Sequence, residues 1–271
     1  MFAQFPKVYG SGKYSNSKDG EHSLFITHIV DKTLVFIYNT TVAETKEAIL
    51  NLTDIHKIYK TSSENTVALK NLNLRIKKGE SIAIIGKSGS GKSTLMHVMA
   101  TLDRPSSGEL SINGVSTTEL KNSALDDLRN KTFGFVFQQF FVNPRNSCLD
   151  NVILPLVIAG VKAKERRARG LEILESVGLI DKAKAKANDL SGGQKQRLCI
   201  ARALITQPEV IFADEPTGNL DSETGKIIID LLFDLHRKHN LTLVVVTHDQ
   251  ELADLCDRQI ILKDGVIIQE S

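Results

Sequence analysis

Tryptophan is absent from the 271-residue sequence, and aromatic residues make up only 6% of it. The charges are almost balanced, with a formal net charge of +2 at pH 7. Proteins that bind nucleic acids usually combine a basic surface with exposed aromatic rings that stack on bases. The composition therefore favours a protein without a nucleic-acid partner.

Cysteine is also scarce. Cys148, Cys199 and Cys256 lie far apart and show no C-x-x-C spacing. Disulfide frameworks need paired cysteines, and zinc sites need clustered ones. We therefore interpret the three residues as reduced thiols of a cytosolic protein.

Long apolar runs are missing as well. No stretch approaches the roughly 18 consecutive apolar residues that a membrane-spanning helix needs. The longest candidate, residues 152–161, is short and contains Pro155, and the N-terminus lacks the apolar segment of a signal peptide. We predict a soluble protein that reaches a membrane only through a partner.

The first part of the chain carries no chemical motif. It contains two short β-like runs at 24–30 and 34–38, and residues 42–50 favour a helical turn or two. We interpret residues 1–48 as an N-terminal extension of unknown role, either an accessory segment or a stretch that precedes the true start of translation.

The remainder of the chain shows regular strand and helix patterns. Residues 81–85, 210–212 and 241–246 are apolar runs that are typical of buried parallel strands. Residues 120–190 are mostly helical in character, and Asp264-Gly265 near the C-terminus indicates a β-hairpin. The pattern predicts a mixture of strands and helices around a buried sheet.

A phosphate-loop pattern, G-x-x-x-x-G-K-[ST], is matched in full by Gly86-Lys87-Ser88-Gly89-Ser90-Gly91-Lys92-Ser93. Glycines let backbone N–H groups wrap around a phosphate, and the helix that begins there adds the positive end of its dipole. Lys92 supplies charge to the β- and γ-phosphates, and the Ser93 hydroxyl is a hard ligand for Mg²⁺. We predict that this loop, with Thr94, binds ATP with Mg²⁺.

Two adjacent acids, Asp214 and Glu215, follow the apolar run 210–213. An acid at the carboxyl end of a strand can lie opposite a phosphate loop and hold Mg²⁺, usually through water, and this role suits Asp214. The next acid can polarise the attacking water as general base, and this role suits Glu215. In most proteins such a pair is an exposed turn, but the strand and the phosphate loop favour the catalytic interpretation.

A second motif, Leu190-Ser191-Gly192-Gly193-Gln194, resembles the LSGGQ signature of ABC ATPases. The resemblance extends over residues 49–271. It implies an α/β P-loop NTPase fold with a RecA-like core, a helical subdomain at about residues 140–190 and a small antiparallel β subdomain.

The resemblance also implies roles for single residues. Gln138 is similar to the Q-loop glutamine that contacts Mg²⁺ and links the site to the transmembrane partner, with Gln139 as the alternative. Asp221 lies in a run similar to the D-loop, and His248 is placed like the switch histidine that contacts the γ-phosphate. Tyr59 is placed like the aromatic residue that stacks on adenine, although a lone tyrosine is often a packed edge residue.

In ABC ATPases the signature motif serves the opposite subunit, because the helix N-terminus after it provides an anion site. Ser191, Gly192, Gly193 and Gln194 are thus expected to face the phosphate loop of a second chain. The resemblance implies an ATP-dependent dimer, with a homodimer favoured. It further implies a transmembrane permease subunit and a cytoplasmic location, peripheral on the inner face of the cell membrane.

The run Pro216-Thr217-Gly218-Asn219-Leu220-Asp221 resembles the macrolide-exporter and lipoprotein-release group. That resemblance implies an ATPase that powers export, or lipoprotein or peptide extraction, through a separate membrane subunit. Two alternatives stay open: signalling of the cell-division type and a soluble repair-type ATPase. The short separation between Gln138 and Leu190 leaves no room for the long coiled coils of chromosome-maintenance relatives.

One segment departs from that group. Phe140-Phe141-Val142-Asn143-Pro144 stands where the group has a Phe-Asn-Leu-Leu-Pro-like stretch. We hypothesise that Phe140, Phe141 and Val142 line an apolar groove for a coupling helix of the permease. Packing inside the helical subdomain is the alternative.

Overall fold

The computed structural model describes residues 24–30, 33–38, 47–60 and 65–271. The chain divides into two units, Met1–Lys46 and Glu47–Ser271. In the first unit, strands β1 (Leu24–Val30) and β2 (Thr33–Tyr38) pair antiparallel, at the two predicted β-like runs.

The predicted helical turn at residues 42–50 is wrong where it can be checked. Residues 42–46 lie outside the described residues, and a long strand begins at Ala48. Ile49 and Leu50 are buried, and Leu50 pairs with strands on both of its sides. Sheet pairing therefore outweighs the local preference for a turn.

The second unit alternates strands and helices along the chain. Its elements are β3 (Ala48–Lys60), β4 (Asn65–Lys77), β5 (Ser81–Ile85), α1 (Lys92–Met99), β6 (Ser107–Ile112), β7 (Val115–Ser116), α2 (Asn122–Thr132), β8 (Phe133–Phe137), α3 (Cys148–Val152), α4 (Leu154–Ile158), α5 (Ala163–Ser176), α6 (Gly192–Leu204), β9 (Val210–Asp214), α7 (Ser222–His239), β10 (Thr242–Thr247), α8 (Gln250–Ala253), β11 (Arg258–Lys263) and β12 (Val266–Glu270).

A small antiparallel sheet has the strand order β4-β3-β6-β7. Along β4, Leu72, Leu74 and Ile76 are buried while the residues between them are exposed. This alternation is what a sheet with one face on the core requires. The buried face packs in the same apolar cluster as α1 and the centre of the larger sheet.

The larger sheet has the order β12-β11-β5-β10-β9-β8. Strands β11, β5, β10, β9 and β8 run parallel, and β12 joins β11 antiparallel. Asp264 and Gly265 connect β11 to β12 with φ angles of 49° and 78°, as the predicted two-residue hairpin turn requires. Residues 210–213 and 242–247 are fully buried, as their apolar runs predict.

The parallel strands end together at one edge of this sheet. Ile85 pairs with Thr247, and Asp214 pairs with both Val246 and Phe137. The residues that follow these strands are therefore neighbours, although they are far apart in sequence. Ligands of open α/β sheets bind at such an edge, outside the carboxyl ends of the strands.

The segment between β8 and α6 is largely helical, as predicted, and contains α3, α4 and α5 with two short 3-10 turns. Its core side chains, including Leu149, Leu156 and Leu174, are buried in one cluster with α6 and α7. Strand β8 interrupts the helical region predicted at 120–190. Among the described residues, no helix has the length and apolarity that crossing a bilayer requires.

Candidate functional site

The loop between β5 and α1 has a shape that only glycine permits at several positions. Gly89 and Gly91 have φ angles of 78° and 104°, which L side chains rarely adopt. A Cβ atom on Gly86 would lie 2.3 Å from the carbonyl oxygen of Leu262, and one on Gly91 would lie 2.7 Å from that of Ala68. The glycines of the motif are thus required by the fold of the loop itself.

The polar groups of this loop are arranged for an anion. The Nζ atom of Lys92 donates to the carbonyl oxygens of Gly86, at 2.7 Å, and Lys87, at 3.1 Å, so its charge lies over the loop. Lys87, Ser88, Gly89 and Ser93 are exposed. The Ser90 hydroxyl is buried and has no hydrogen-bond partner among the described residues. The exposed backbone of the loop and the charge of Lys92 together suit a phosphate.

Glu215 and His248 meet at the same edge of the sheet. One Glu215 carboxylate oxygen accepts hydrogen bonds from the His248 imidazole Nδ1, at 2.6 Å, and from the His248 backbone N–H, at 3.1 Å. The other oxygen accepts from the Thr247 hydroxyl at 3.2 Å. Hydrogen bonding and attraction to Glu215 raise the pKa of His248, which is otherwise exposed to solvent.

Asp214 ends strand β9 and is half-buried. Burial raises the pKa of this carboxyl, and repulsion from Glu215 raises it further, while His97 and Lys92 oppose the shift. A cation between Asp214 and bound phosphates would relieve the repulsion of the two acids.

Gln138 follows β8 and is exposed. Its Nε2 atom lies 3.5 Å from Asn219 Oδ1, while Asn219 Nδ2 donates to the Gln138 carbonyl oxygen at 2.8 Å. A Cβ atom on Gly218 would lie 2.7 Å from Gln138 Nε2. The Gln138 side chain therefore rests on the segment that follows Glu215.

The signature motif forms the beginning of α6. The Ser191 hydroxyl accepts from the Gln194 N–H, and the Gln194 Oε1 atom accepts from the Ser191 N–H, which completes a capping box. Gly192 and Gly193 form the first turn, where N–H groups lack helical partners. The cap uses Ser191 Oγ and Gln194 Oε1 as acceptors, so the exposed Ser191 hydroxyl can still donate its hydrogen to a ligand, beside the N–H groups of the first turn.

Asp221 caps the next long helix. Its Oδ1 atom accepts from the Thr224 N–H at 2.9 Å at the start of α7. The backbone and side-chain hydrogen bonds from Thr224 hold the pKa of Asp221 below its ordinary value. A helix-capping role was missed in the sequence, although an aspartate immediately before a helical pattern is a known signal for it.

Tyr59 belongs to a polar cluster that the sequence does not reveal. It is 38% exposed, and its hydroxyl donates to Asp103 Oδ2 at 3.0 Å. The Lys57 ammonium pairs with Asp103 Oδ1 at 2.6 Å and lies 4.9 Å from the centre of the tyrosine ring. Asp103 and Lys57 thus fix the orientation of the ring that is expected to stack on adenine.

The structure brings most predicted residues to the strand-end edge, but not all of them. Asp214 and Glu215 lie there, Glu215 and His248 are hydrogen-bonded, and the phosphate loop with Lys92 follows the neighbouring strand β5. Within the described ranges, no hydrogen bond links Ser191 or Tyr59 to the phosphate loop. Among the described residues, the signature motif thus has no hydrogen bond to the phosphate loop that would complete an anion site.

Comparison with known proteins shows the family. Residues 69–218 match the family described as "ABC transporter". The chain belongs to this family. It is accordingly an ATP-binding and ATP-hydrolysing subunit with the predicted P-loop NTPase fold.

Relatives and solved structures agree with this ABC ATPase assignment. An uncharacterised ABC transporter ATP-binding protein of Bacillus subtilis is 47% identical over 81% of this chain and 95% of its own length. The lipoprotein-releasing system ATP-binding protein LolD of Geobacter metallireducens is 43% identical over 82% and 99%, respectively. The macrolide export ATP-binding/permease protein MacB of Mannheimia succiniciproducens is 45% identical over 82% of this chain and 35% of its own length.

The structural comparison gives the same answer. An ATP-binding cassette of Methanocaldococcus jannaschii, solved as a dimer in a post-hydrolysis state with ADP and Pi, matches 82% of this chain and 97% of its own at 45% identity, with a TM-score of 0.75. The resemblance to the macrolide-exporter and lipoprotein-release group is therefore confirmed. The relatives favour a transporter ATPase over the signalling and repair alternatives.

Proposed function

We propose that two copies of this ABC ATPase close around two molecules of Mg-ATP and thereby drive a separate permease in the membrane. The observation that carries the proposal is that the anion-binding groups lie in two separate places on the chain. Lys92 and Glu215 lie at one edge of the sheet, while no hydrogen bond among the described residues links the exposed Ser191 hydroxyl to the phosphate loop. A second copy would supply Ser191 to each phosphate loop, as the dimeric M. jannaschii cassette suggests.

The donor groups at this edge fit magnesium. Ser93 offers an exposed hydroxyl in the first turn of α1, and Asp214 and Gln138 offer side-chain oxygens at neighbouring strand ends. Across the described part of the chain, no three His, Cys, Asp or Glu side chains gather to hold a metal ion. Mg²⁺ commonly takes few protein ligands and keeps water and phosphate oxygens instead. When bound, it would neutralise charge on the β- and γ-phosphates.

The residues on this edge can carry out hydrolysis. Glu215 accepts a proton from a water molecule while that water attacks the γ-phosphorus, and the bond to the ADP oxygen breaks. His248 and the partner copy's Ser191 hold the γ-phosphate oxygens, and Lys92 spans the β- and γ-phosphates. Tyr59 stacks on adenine. Loss of the γ-phosphate removes the group that both copies share, so the dimer opens.

The permease contact is proposed on the helical subdomain. Phe141 is 58% exposed beside Phe137, whereas Val142 is partly buried against the core. Leu154, Val157 and Ile158 of α4 are further exposed apolar side chains. A surface that exposes several apolar side chains favours a protein contact. We therefore place the coupling helix on Phe141, with Phe140 and Val142 supporting it from below.

The names of the relatives suggest the type of work. Lipoprotein release and macrolide export both remove a molecule from a membrane or a cell, and we propose export or lipoprotein or peptide extraction for this chain. Residues 49–271 form the ATPase domain in this proposal, with the helical subdomain at about 140–190. Residues 1–48 form an extension. Through its permease, the protein would be peripheral on the inner face of the membrane.

A pull-down tests the permease proposal. The tagged chain is captured from detergent-solubilised native membranes, and Phe141→Asp serves as the matched control. Co-purification of a polytopic membrane protein with the unchanged chain, and its loss with the variant, is the expected result. Recovery of the ATPase without any membrane protein would contradict the proposal but leave the nucleotide chemistry intact.

A further inference from the structure

Gln196 is a fully buried polar residue in the second turn of α6. Its Nε2 atom donates to the carbonyl oxygen of Phe137 at 3.2 Å and to that of Pro216 at 2.6 Å. Both partners are carbonyl oxygens, which only accept hydrogen bonds, so the amide nitrogen and not the amide oxygen must face them. The side chain thus connects α6 to two separate loops.

Those two carbonyl groups are next to residues of the site. Phe137 directly precedes Gln138, and Pro216 directly follows Glu215. The pairing of β8 with β9 ends at Phe137 and Asp214. Beyond this point, the Gln196 side chain continues the connection by its hydrogen bonds to both loops.

Asn219 also joins these two loops, through its hydrogen bond to the Gln138 carbonyl oxygen. We call Gln196 and Asn219 the amide bridge. Of these two residues, Gln196 lies on the signature helix, two residues after Gln194, whose own side chain caps that helix.

The Gln196 side chain has an energetic disadvantage that a space-filling role does not explain. Its Oε1 atom is buried without a hydrogen-bond partner among the described residues. A buried amide with an unsatisfied oxygen is destabilising, and an apolar side chain of similar size would avoid this. The two hydrogen bonds that Nε2 donates are therefore the reason for a glutamine at this position.

We propose that Gln196 is a positioning residue that transmits the engagement of the signature motif to Glu215. When Ser191 binds the γ-phosphate on the partner copy, α6 is displaced as a rigid element, and Gln196 moves Phe137 and Pro216 with it. The carboxylate of Glu215 thereby reaches the attacking water only in the closed dimer. This inference rests on the proposed roles of Ser191 and Glu215.

The test replaces the donor and preserves the volume, in the full chain. Gln196→Met keeps a long unbranched side chain, and Cys199→Ala is the control, since Cys199 is buried on the same helix away from the bridge. We expect Gln196→Met to retain the wild-type KM for ATP and to lose about 10- to 100-fold in kcat, the size of effect that a small misplacement of a catalytic group causes. Cys199→Ala should lower the melting temperature and keep kcat.

A double variant separates positioning from folding. If Gln196 acts through Glu215, the double variant should hydrolyse ATP at the same residual rate as Glu215→Gln alone. The carboxylate that Gln196 positions is already lost in Glu215→Gln. A wild-type kcat for Gln196→Met would overturn the inference. An equal loss of kcat in Cys199→Ala, when the two variants have the same melting temperature, would also overturn it. Hydrolysis by Glu215→Gln at the wild-type rate would instead overturn the proposed function.

A second arm covers failure of the buried variant to fold. Asn219 is exposed, so Asn219→Ala should fold normally. It removes the hydrogen bond from Asn219 to the Gln138 carbonyl oxygen, and we expect kcat to fall with KM unchanged. An unchanged kcat in Asn219→Ala would contradict the amide bridge even if Gln196→Met could not be purified.

Discussion

The imidazole Nδ1 of His248 donates to the carboxylate of Glu215 at 2.6 Å, at a place where two parallel strands end side by side. Glu215 also has a positive φ angle of 46°, and its N–H donates to the Val246 carbonyl oxygen. The expected general base is therefore held in one orientation before a nucleotide is bound. In the proposed closed dimer, His248 would turn to the γ-phosphate, and the same carboxylate would become available to water.

The pKa of His248 offers the first test of this pairing. Because Glu215 stabilises the imidazolium, the pKa of His248 should lie above its ordinary value, and Glu215→Gln should lower it. NMR titration of the histidine signals in the nucleotide-free protein measures both. The contribution of the pair to stability is present at low pH and is lost as pH rises through the raised pKa. An identical pKa in both proteins would contradict the hydrogen bond.

Tyr59 provides a prediction for nucleotide affinity. Tyr59→Ala should weaken ATP binding by roughly 5- to 150-fold, which corresponds to the about 1–3 kcal/mol of a base stacked on an aromatic ring. Tyr59→Phe keeps the ring and loses only the hydrogen bond to Asp103, so its effect should be smaller. Fluorescent-nucleotide titration compares the three proteins. Equal affinity in Tyr59→Ala and the wild type would place adenine elsewhere.

Phe141 tests the proposed permease contact. Phe141→Asp should leave basal ATP hydrolysis of the isolated subunit intact and reduce assembly with the membrane partner, because a charge would enter an apolar contact. Ile268→Asp is the matched control, since Ile268 is 59% exposed on β12, outside the helical subdomain. Reconstitution followed by co-purification measures assembly. Equal assembly of both variants would remove Phe141 from the contact.

The local parts of the site could be predicted from the sequence. The glycines of residues 86–91 and the acids after residues 210–213 are contiguous patterns whose chemistry depends on neighbours in the chain. The helical turn at 42–50 failed because Leu50 pairs with partners that lie distant in the sequence.

The contacts that orient the site could not be predicted, for the same physical reason. Gln196 binds carbonyl groups 59 and 20 residues away, and Lys57 meets Asp103 at a separation of 46 residues. No periodicity or motif records such pairs, because only the folded sheet and helices bring them together. The cap at Asp221 is different, because an aspartate immediately before a helical pattern is a local signal from which the cap could have been predicted.

Asp221 gives a prediction for stability. Asp221→Ala removes the cap of α7 and should lower the melting temperature at neutral pH. Because the pKa of Asp221 is lowered in the folded state, its contribution is present above the ordinary pKa and is lost as pH falls through the lowered one. Thermal unfolding curves of both proteins should therefore converge in acid. A constant difference across this pH range would contradict capping by the ionised carboxylate.

Glu215→Gln tests the central claim most directly, because it separates closure of the dimer from hydrolysis. Light scattering after size exclusion, with Mg-ATP present, reports the mass of the variant, and a phosphate-release assay reports its turnover. We predict a stable dimer that contains unhydrolysed ATP, with kcat reduced by at least about 100-fold, the contribution of a general base. A variant that stays monomeric with ATP bound, or one that hydrolyses ATP at the wild-type rate, would contradict the account.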